Sequence, residues 1–299
     1  MTPTDERVIC EPTRPLCETA IDVGEAQHGM RRPTVSVDEL QRAWAAIRSG
    51  WFRDTRPTRQ APLGAVVWQP TESTIVVAGA AARTGTTTVA LAIATAAARR
   101  VRVVECCDPA RSGLTAASTA ELGTVAGGTW RQARRDHVLI ERLVPSATGL
   151  PGPAGTEVDA SVVDAGPIGA CAVGCAPDDG TWLDALLIEV PTVIVTVATV
   201  PGIRALNVAV EGLGSRADVW CAVMGPRRKK WPAQVVYEMS PAVAAIEQAG
   251  RLVVVPEHRD LAVNGLTADS LPPDVVAAGG LILDGAVTVG AAVVEAVAS

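Results

Sequence analysis

The chain has 299 residues, of which 48% are apolar, and it carries a formal net charge of −6 at pH 7. This composition provides enough apolar surface for a folded core. The acidic balance excludes a protein that binds nucleic acid through its bulk charge, but it leaves room for a local basic patch. No run of about 18 uncharged apolar residues and no apolar N-terminal segment occurs, so we expect a cytoplasmic protein without a transmembrane segment or a secretory signal.

The usage of individual residue types adds two expectations. The seven cysteines are expected to be free thiols, and the three histidines do not form the spacing of a zinc site, so we expect no zinc. Alanine, valine and arginine are abundant, whereas Lys229 and Lys230 are the only lysines. Such usage is typical of GC-rich bacterial genomes, such as those of actinobacteria.

The N-terminal part of the chain is predicted to lie outside the main domain. Residues 1–35 are rich in Pro, Thr, Arg and Glu without periodicity, which predicts a disordered arm. Residues 36–62 begin with a capping box, Ser36 with Glu39, and continue with apolar residues at helical spacing. We expect a short amphipathic helix followed by a linker there. The helix either packs on the main domain or docks a partner.

From residue 63 to residue 299 the pattern changes to alternating strands and helices. Buried strands are predicted over 74–80, 101–108, 137–144, 159–167, 192–200, 218–225 and 251–258, with an edge strand at 66–69. Helices are predicted over 86–100, 112–122, 202–213, 240–249 and from 273 onward. This alternation implies an α/β fold with a doubly wound, mostly parallel sheet, which is a Rossmann-like architecture.

The segment VVAGAAARTGTTTVA at 76–90 joins the first buried strand to the first helix. A phosphate-binding loop needs the pattern G-x-x-x-x-G-K-[ST] at such a junction, because small residues let backbone N–H groups face the phosphate. Ala80, Gly85, Thr86 and Thr87 have this spacing. Gly85 and Thr87 match the pattern, whereas the first glycine is an alanine and the lysine is a threonine.

Two later segments support the loop. One strand ends in Cys107-Asp108-Pro109, and another ends in Asp164-Ala165-Gly166, at separations of about 25 and about 55 residues. With these motifs the chain resembles the MinD/ParA family of deviant Walker A ATPases (the SIMIBI class of P-loop proteins) over about residues 70–270.

The resemblance implies several functional properties. It implies a P-loop NTPase fold, ATP and Mg²⁺ as cofactors, a homodimer and protein partners. It places Mg²⁺ at Thr87 and Asp164, and catalytic roles at Asp108 and Asp164. The expected nucleotide contacts are Ala82, Arg83, Thr84, Gly85, Thr86, Thr87 and Thr88.

The departures from the family pattern concern charge. The family's signature lysine falls on Ala81, its Walker lysine on Thr86 and the first aspartate of its D-x-D motif on Cys106. Loss of one contact that stabilises a transferring phosphoryl group costs about 10²–10³ in rate. Arg83 stands where the family has glycine, and its side chain could either approach the phosphate or block the site.

The segment from Arg227 to Trp231 is the only dense cluster of cations in the chain. It contains Arg227, Arg228, Lys229, Lys230 and Trp231 after a predicted strand. These residues are candidates for contact with DNA phosphate or an anionic membrane, and a solvated loop is the alternative interpretation.

Three hypotheses about function follow from the sequence. In the first, the chain is a non-catalytic positioning, scaffolding or regulatory factor, and the resemblance suggests plasmid partition, conjugation, or septum or secretion-site placement. In the second, it is an active Mg²⁺-dependent ATPase that uses Arg83 or a cation supplied by a partner. In the third, it is a DNA-binding module that uses residues 227–231.

Overall fold

The computed structural model describes residues 68–107, 112–144, 151–168, 182–214 and 218–297. The predictions for the arm at 1–35 and for the helix and linker at 36–62 lie outside these residues, as does the prediction for Asp108. All the described residues belong to one compact unit of the chain, Thr58–Ser299.

Within the described residues, nine strands form a single sheet in the order β3-β4-β5-β2-β6-β1-β7-β8-β9. In this sheet order, all neighbouring strands from β5 to β9 are parallel. The pairs β3–β4 and β4–β5 are antiparallel. The sheet is therefore mostly parallel, as predicted. The strands are β1 Ser73–Gly79, β2 Val101–Glu105, β3 Ala120–Val125, β4 Trp130–Arg135, β5 Val138–Leu143, β6 Ala160–Pro167, β7 Thr192–Val197, β8 Val219–Gly225 and β9 Leu252–Pro256.

Helices cover both faces of the sheet. One core cluster lies between the sheet and the helices α1 and α8, and a second lies between the opposite face and the helices α3, α4, α5 and α6. This confirms a doubly wound fold. The helices are α1 Thr86–Ala96, α2 Leu114–Ala117, α3 Trp182–Glu189, α4 Val200–Leu213, α5 Ala233–Tyr237, α6 Pro241–Gln248, α7 Arg259–Asn264 and α8 Pro273–Val297. None of the described helices is both long enough and apolar enough to span a bilayer.

The chain order of the strands places a switch point beside β1. The chain passes from β1 to β2, with β6 filling the place between them, and then crosses from β6 to β7 on the other side of β1. In open parallel sheets, ligands bind outside the carboxyl ends of the strands at such a point. The fold therefore directs attention to the carboxyl end of β1.

The segment 112–122 differs from the predicted helix. Only Leu114–Ala117 is helical, and the chain then forms β3, which pairs with β4 as a hairpin. Trp130 explains the second strand of this hairpin, because it is fully buried and its indole N–H donates to Gly152 O at 2.7 Å. Thr124 and Val125 favour the extended backbone, and the turn that follows contains two glycines at positive φ. The predicted edge strand at 66–69 is also wrong where it is described, since residues 68 and 69 are not in a strand.

Helices α1 and α8 approach so closely that one glycine has no room for a side chain. A Cβ added at Gly279 would lie 2.4 Å from the backbone carbon of Ala92, whereas one at Gly280 would meet only the Cβ of Ala96, at 3.7 Å. Gly279 therefore sets the distance between the two helices.

We expect the variant Gly279→Ala to lower the free energy of unfolding by about 1–3 kcal/mol, because an added methyl group must push the two helix backbones apart. Gly280→Ala is the matched control, and it should be neutral or stabilising by up to about 1 kcal/mol, since alanine favours a helix. Urea unfolding followed by circular dichroism measures both. Equal midpoints for the two variants would contradict this account of the helix contact.

Candidate functional site: the loop between the first strand and the first helix

The loop after β1 turns tightly around Gly79. A Cβ added at this position would lie 2.5 Å from Thr86 Oγ1 and 2.8 Å from both Thr84 Oγ1 and Ala81 O. Only glycine fits such a space. The sequence motif counted Ala80 as the first small residue of the loop, so the stricter requirement at Gly79 was missed.

Two threonine hydroxyl groups lie inside the loop. Thr84 Oγ1 donates to Ala81 O at 3.1 Å and lies 3.3 Å from Thr86 Oγ1, and both side chains are buried. Thr86 occupies the position of the Walker lysine. The Thr86 hydroxyl contacts another residue of the loop, Thr84. Because threonine is neutral, this position carries no positive charge.

Gly85 forms the junction between the loop and α1. It has a φ of 90°, in the left-handed region that glycine adopts without strain, and a Cβ there would lie 3.2 Å from Met224 Cγ at the end of β8. Gly85 is the N-cap residue, so it offers no side-chain cap to the first turn of α1. The free N–H groups at the start of a helix, together with its dipole, favour an anion at this place.

The structure brings Thr87 and Asp164 together, the two residues at which the resemblance placed Mg²⁺, and metal binding there stays a prediction. Thr87 Oγ1 donates to Asp164 Oδ2 at 2.7 Å. A register shift between β1 and β6 places Asp164 opposite Val77 and Gly166 opposite Ala78. Gly166 turns at a positive φ, and its N–H donates to Asp164 Oδ1 at 3.2 Å. The backbone of Gly166 therefore fixes the carboxylate of Asp164, which lies two residues earlier in the same strand.

Burial determines the electrostatics of this carboxylate. Asp164 is fully buried, and the loss of water raises its pKa above the usual value, although hydrogen bonds from Thr87, the Gly166 N–H and the Cys107 thiol oppose the rise. The Cys107 Sγ lies 3.9 Å from Asp164 Oδ2. Burial also raises the pKa of Cys106. The nearby charges of Asp164, Cys107 and Glu105 raise this pKa further.

A cavity of about 1020 Å³ lies above the loop. It is formed by the residues that follow β1, β2, β6, β7, β8 and β9, so it lies at the carboxyl ends of the parallel strands. Its volume is at the upper end of the range of small-molecule sites, about 300–1,000 Å³. The predicted nucleotide-contact residues line it together: Ala82, Arg83, Thr84, Gly85, Thr86, Thr87 and Thr88.

Other cavity residues were not among the predicted site residues. Met224, Glu257 and His258 line the cavity from the ends of β8 and β9. His258 Nε2 lies 2.8 Å from Asp274 Oδ1, which joins α7 to the start of α8. These residues were missed because their positions depend on the sheet order, and no local motif marks them.

The basic segment after β8 divides into two groups. The Arg228 guanidinium forms an ion pair with Glu247 at 2.5 Å and lies 4.5 Å above the ring of Trp231. Trp231 is buried, and its indole N–H donates to Pro226 O at 2.8 Å. The other three residues are exposed, namely Arg227, Lys229 and Lys230. Whether any of the five contacts a ligand stays a prediction.

Within the described ranges, no cluster of three or more His, Cys, Asp or Glu side chains has the arrangement of a metal site. The expectation that the chain binds no zinc stays a prediction. For Mg²⁺, Thr87 and Asp164 supply the hydroxyl and carboxylate oxygens that this cation prefers.

The mostly parallel sheet and the loop between β1 and α1 form a MinD/ParA-like fold of the Rossmann-like type. Neither a protein-family model nor a curated protein sequence matches the chain.

Several solved structures resemble the chain. McdA from Cyanothece is 14% identical with a TM-score of 0.47, and the match covers 71% of this chain and 98% of that chain. MinD, a cell division protein from Aquifex aeolicus, is 16% identical with a TM-score of 0.43, and the match covers 70% and 95%. A plasmid partition protein from Borrelia burgdorferi is 11% identical with a TM-score of 0.43, and the match covers 73% and 99%. The likeness concerns the fold and does not extend to activity, ligands or partners.

We expect the variant Asp164→Asn to be more stable than the wild type at neutral pH. Because the folded state raises the pKa of Asp164, folding disfavours the charged carboxylate, and this cost appears as the pH rises above the ordinary aspartate range. The gain in the urea midpoint should therefore shrink as the pH is lowered towards that range.

Asp159→Asn is the matched control for this experiment. Asp159 precedes β6, is exposed, and has its pKa lowered by hydrogen bonds from Arg100. Its replacement should leave the midpoint unchanged or lower it at neutral pH. An Asp164→Asn variant that is less stable than the wild type at neutral pH would contradict the assigned environment.

Proposed function

We propose that this chain is a degenerate MinD/ParA-like protein that acts without catalysis, as a positioning, scaffolding or regulatory factor. We further propose that its loop keeps weak binding of a phosphate-bearing nucleotide. The observation that carries the proposal is the state of Thr86, whose hydroxyl is buried at the Walker lysine position and lies 3.3 Å from Thr84 Oγ1. A protein partner, a homodimer and a role in partition, conjugation or septum or secretion-site placement belong to the same proposal.

The charge inventory of the site supports the absence of catalysis. Phosphoryl transfer relies on cations that stabilise the charge of the transferring group. Both lysine positions of the loop are neutral here, at Ala81 and Thr86. Among the described residues that line the cavity, Arg83 is the only arginine or lysine.

The features that support residual binding are independent of lysine. The first turn of α1 has no side-chain cap, and Gly85 keeps the left-handed turn that begins the helix. These backbone groups attract an anion without any charged side chain. If a nucleotide binds, Thr87 and Asp164 are the residues that would hold its Mg²⁺.

We expect calorimetric titration with Mg·ATP to give weak, saturable heats, and we expect no release of phosphate above a blank without protein. The variant Thr86→Lys should bind Mg·ATP about tenfold more tightly or better, because a charged hydrogen bond contributes about 1.5–3 kcal/mol. Thr124→Lys controls for net charge, since Thr124 is exposed on β3, far from β1 in the sheet.

Two results would contradict the proposal in different ways. Turnover by the wild type that Asp164→Ala abolishes would favour an active ATPase, with a cation supplied by Arg83 or by a partner. A complete absence of binding at millimolar nucleotide would remove the nucleotide and leave only the scaffolding role.

DNA binding is a second candidate function. The exposed cations Arg227, Lys229 and Lys230 follow Pro226, which lines the cavity. Exposed lysines and arginines bind DNA phosphate by releasing counterions, which makes the affinity fall as the salt concentration rises. Arg228 and Trp231 support this loop from within, through Glu247 and Pro226.

We expect a DNA duplex of mixed sequence to bind the wild type weakly and with a salt-dependent affinity, and the variant Lys229→Ala/Lys230→Ala to weaken the binding and flatten its salt dependence. Loss of two cations should reduce the slope of log affinity against log salt by about two. Arg131→Ala/Arg134→Ala is the matched control, because it removes two exposed cations from β4. A gel shift that is the same for both double variants would exclude the loop as the contact, and binding only to anionic vesicles would point to a membrane instead.

A further inference from the structure

Arg83 adopts a backbone conformation that is unusual for its residue type. Its φ is 63°, in the left-handed region. Only two other described non-glycine residues have a positive φ, Ala126 and Asp136, and both lie in hairpin turns. The left-handed region is unfavourable for a residue with a Cβ, and a glycine would occupy it freely. The loop therefore carries an arginine at a place where its backbone favours glycine.

The side chain of Arg83 is available to a ligand. Arg83 is exposed and lines the cavity. Within the described residues, no ion pair or side-chain hydrogen bond engages its guanidinium. Arg228, which follows β8 at this end of the sheet, is committed to the protein because it pairs with Glu247.

The rest of the loop cannot supply the missing charge. The hydroxyls of Thr84 and Thr86 contact each other inside the loop, and Thr87 donates to Asp164. All three hydroxyls are neutral, and the Thr87 hydroxyl faces the carboxylate of Asp164. Of the described arginines and lysines, a phosphate group in the cavity would therefore meet only Arg83, beside the backbone N–H groups at the start of α1.

We propose that Arg83 is the phosphate-binding cation of this loop and that it replaces the two lysines that the loop lacks. A guanidinium presents its N–H donors in a planar fork that matches two oxygens of one phosphate. A lysine has no such fork, so arginine and lysine are not equivalent here. The inference rests on the proposed function in one respect, namely that the cavity binds a phosphate-bearing ligand.

The test compares three variants of the full chain with inorganic pyrophosphate and with ATP as probes, each with and without Mg²⁺. Arg83→Ala removes the charge but keeps the strain of a Cβ. Arg83→Gly removes both the charge and the strain. Arg83→Lys keeps the charge but removes the planar fork, and Arg134→Ala controls for the loss of an exposed arginine elsewhere.

We expect Arg83→Ala and Arg83→Gly to weaken the binding of both probes about 10- to 100-fold, as for the loss of one charged hydrogen-bonding group. Arg83→Lys should bind with intermediate affinity, and Arg134→Ala should bind like the wild type. In the absence of ligand, Arg83→Gly should also melt about 2–4 °C above Arg83→Ala, because it relieves the left-handed strain.

Different outcomes separate the failure of this inference from the failure of the proposed function. Unchanged affinity in Arg83→Ala would overturn the role of Arg83 while nucleotide binding stands. Tighter binding by Arg83→Gly would show that the side chain blocks the site, which also overturns it. If the wild type binds neither probe at millimolar concentration, the binding part of the proposed function fails and this inference fails with it. Equal melting temperatures for the glycine and alanine variants would contradict the strained backbone on which the argument depends.

Discussion

The close contact between Gly79 and the threonine side chains of its own loop is the constraint on which the candidate site depends. Because Thr84 and Thr86 place their hydroxyls within 3 Å of where a Cβ at Gly79 would lie, the loop has to fold back over the end of β1. That fold directs Gly85 into the left-handed turn and starts α1 directly above the strand. The residues of the first turn, Thr86, Thr87 and Thr88, line the cavity. Internal hydroxyl contacts can thus hold the turn of this loop without a lysine.

The same packing explains why the site is close to neutral. Asp164 is buried beside Thr87, and no arginine or lysine among the described residues pairs with it. Its raised pKa expresses the cost of a carboxylate that has hydrogen bonds but no countercharge. A divalent cation beside the pair would supply that countercharge, since hydroxyl and carboxylate oxygens are the ligands that Mg²⁺ prefers. The geometry of the pair is therefore compatible with a metal, whereas Arg83 is the only arginine or lysine among the described residues that line the cavity.

Much of this arrangement could be predicted from the sequence, and the exceptions have physical causes. Continuous apolar runs such as 192–197 predict buried parallel strands because both faces of such strands are covered. The hairpin of β3 and β4 was not predicted, since its stability comes from the burial of Trp130 against a distant carbonyl group at Gly152. Local residue pattern carries no information about such a contact.

The candidate site was predictable to the extent that its motifs are local. Asp164-Ala165-Gly166 marked a buried carboxylate from sequence alone, because the glycine that donates to this carboxylate is only two residues away from the aspartate. The inward direction of Thr86 could not be predicted, since it depends on Gly79 and Thr84. The roles of Arg228 and Trp231 were also hidden, because Glu247, which holds Arg228, is nineteen residues further along the chain.

A buried arginine on the hairpin connects the cavity wall to the far edge of the sheet. Arg135, on β4, is 2% exposed, and its guanidinium donates to Ala117 O at 3.0 Å, to Thr267 O at 2.7 Å and to Asp269 O. The segment that it holds follows directly after Gly265 and Leu266, which line the cavity. Leu266 in turn packs against Gly113, where a Cβ would approach within 3.1 Å. The antiparallel hairpin, which is the part of the fold that the sequence pattern did not reveal, therefore helps to fix one wall of the cavity. The shape of the candidate site depends on this distant strand as well as on the loop that carries its motif.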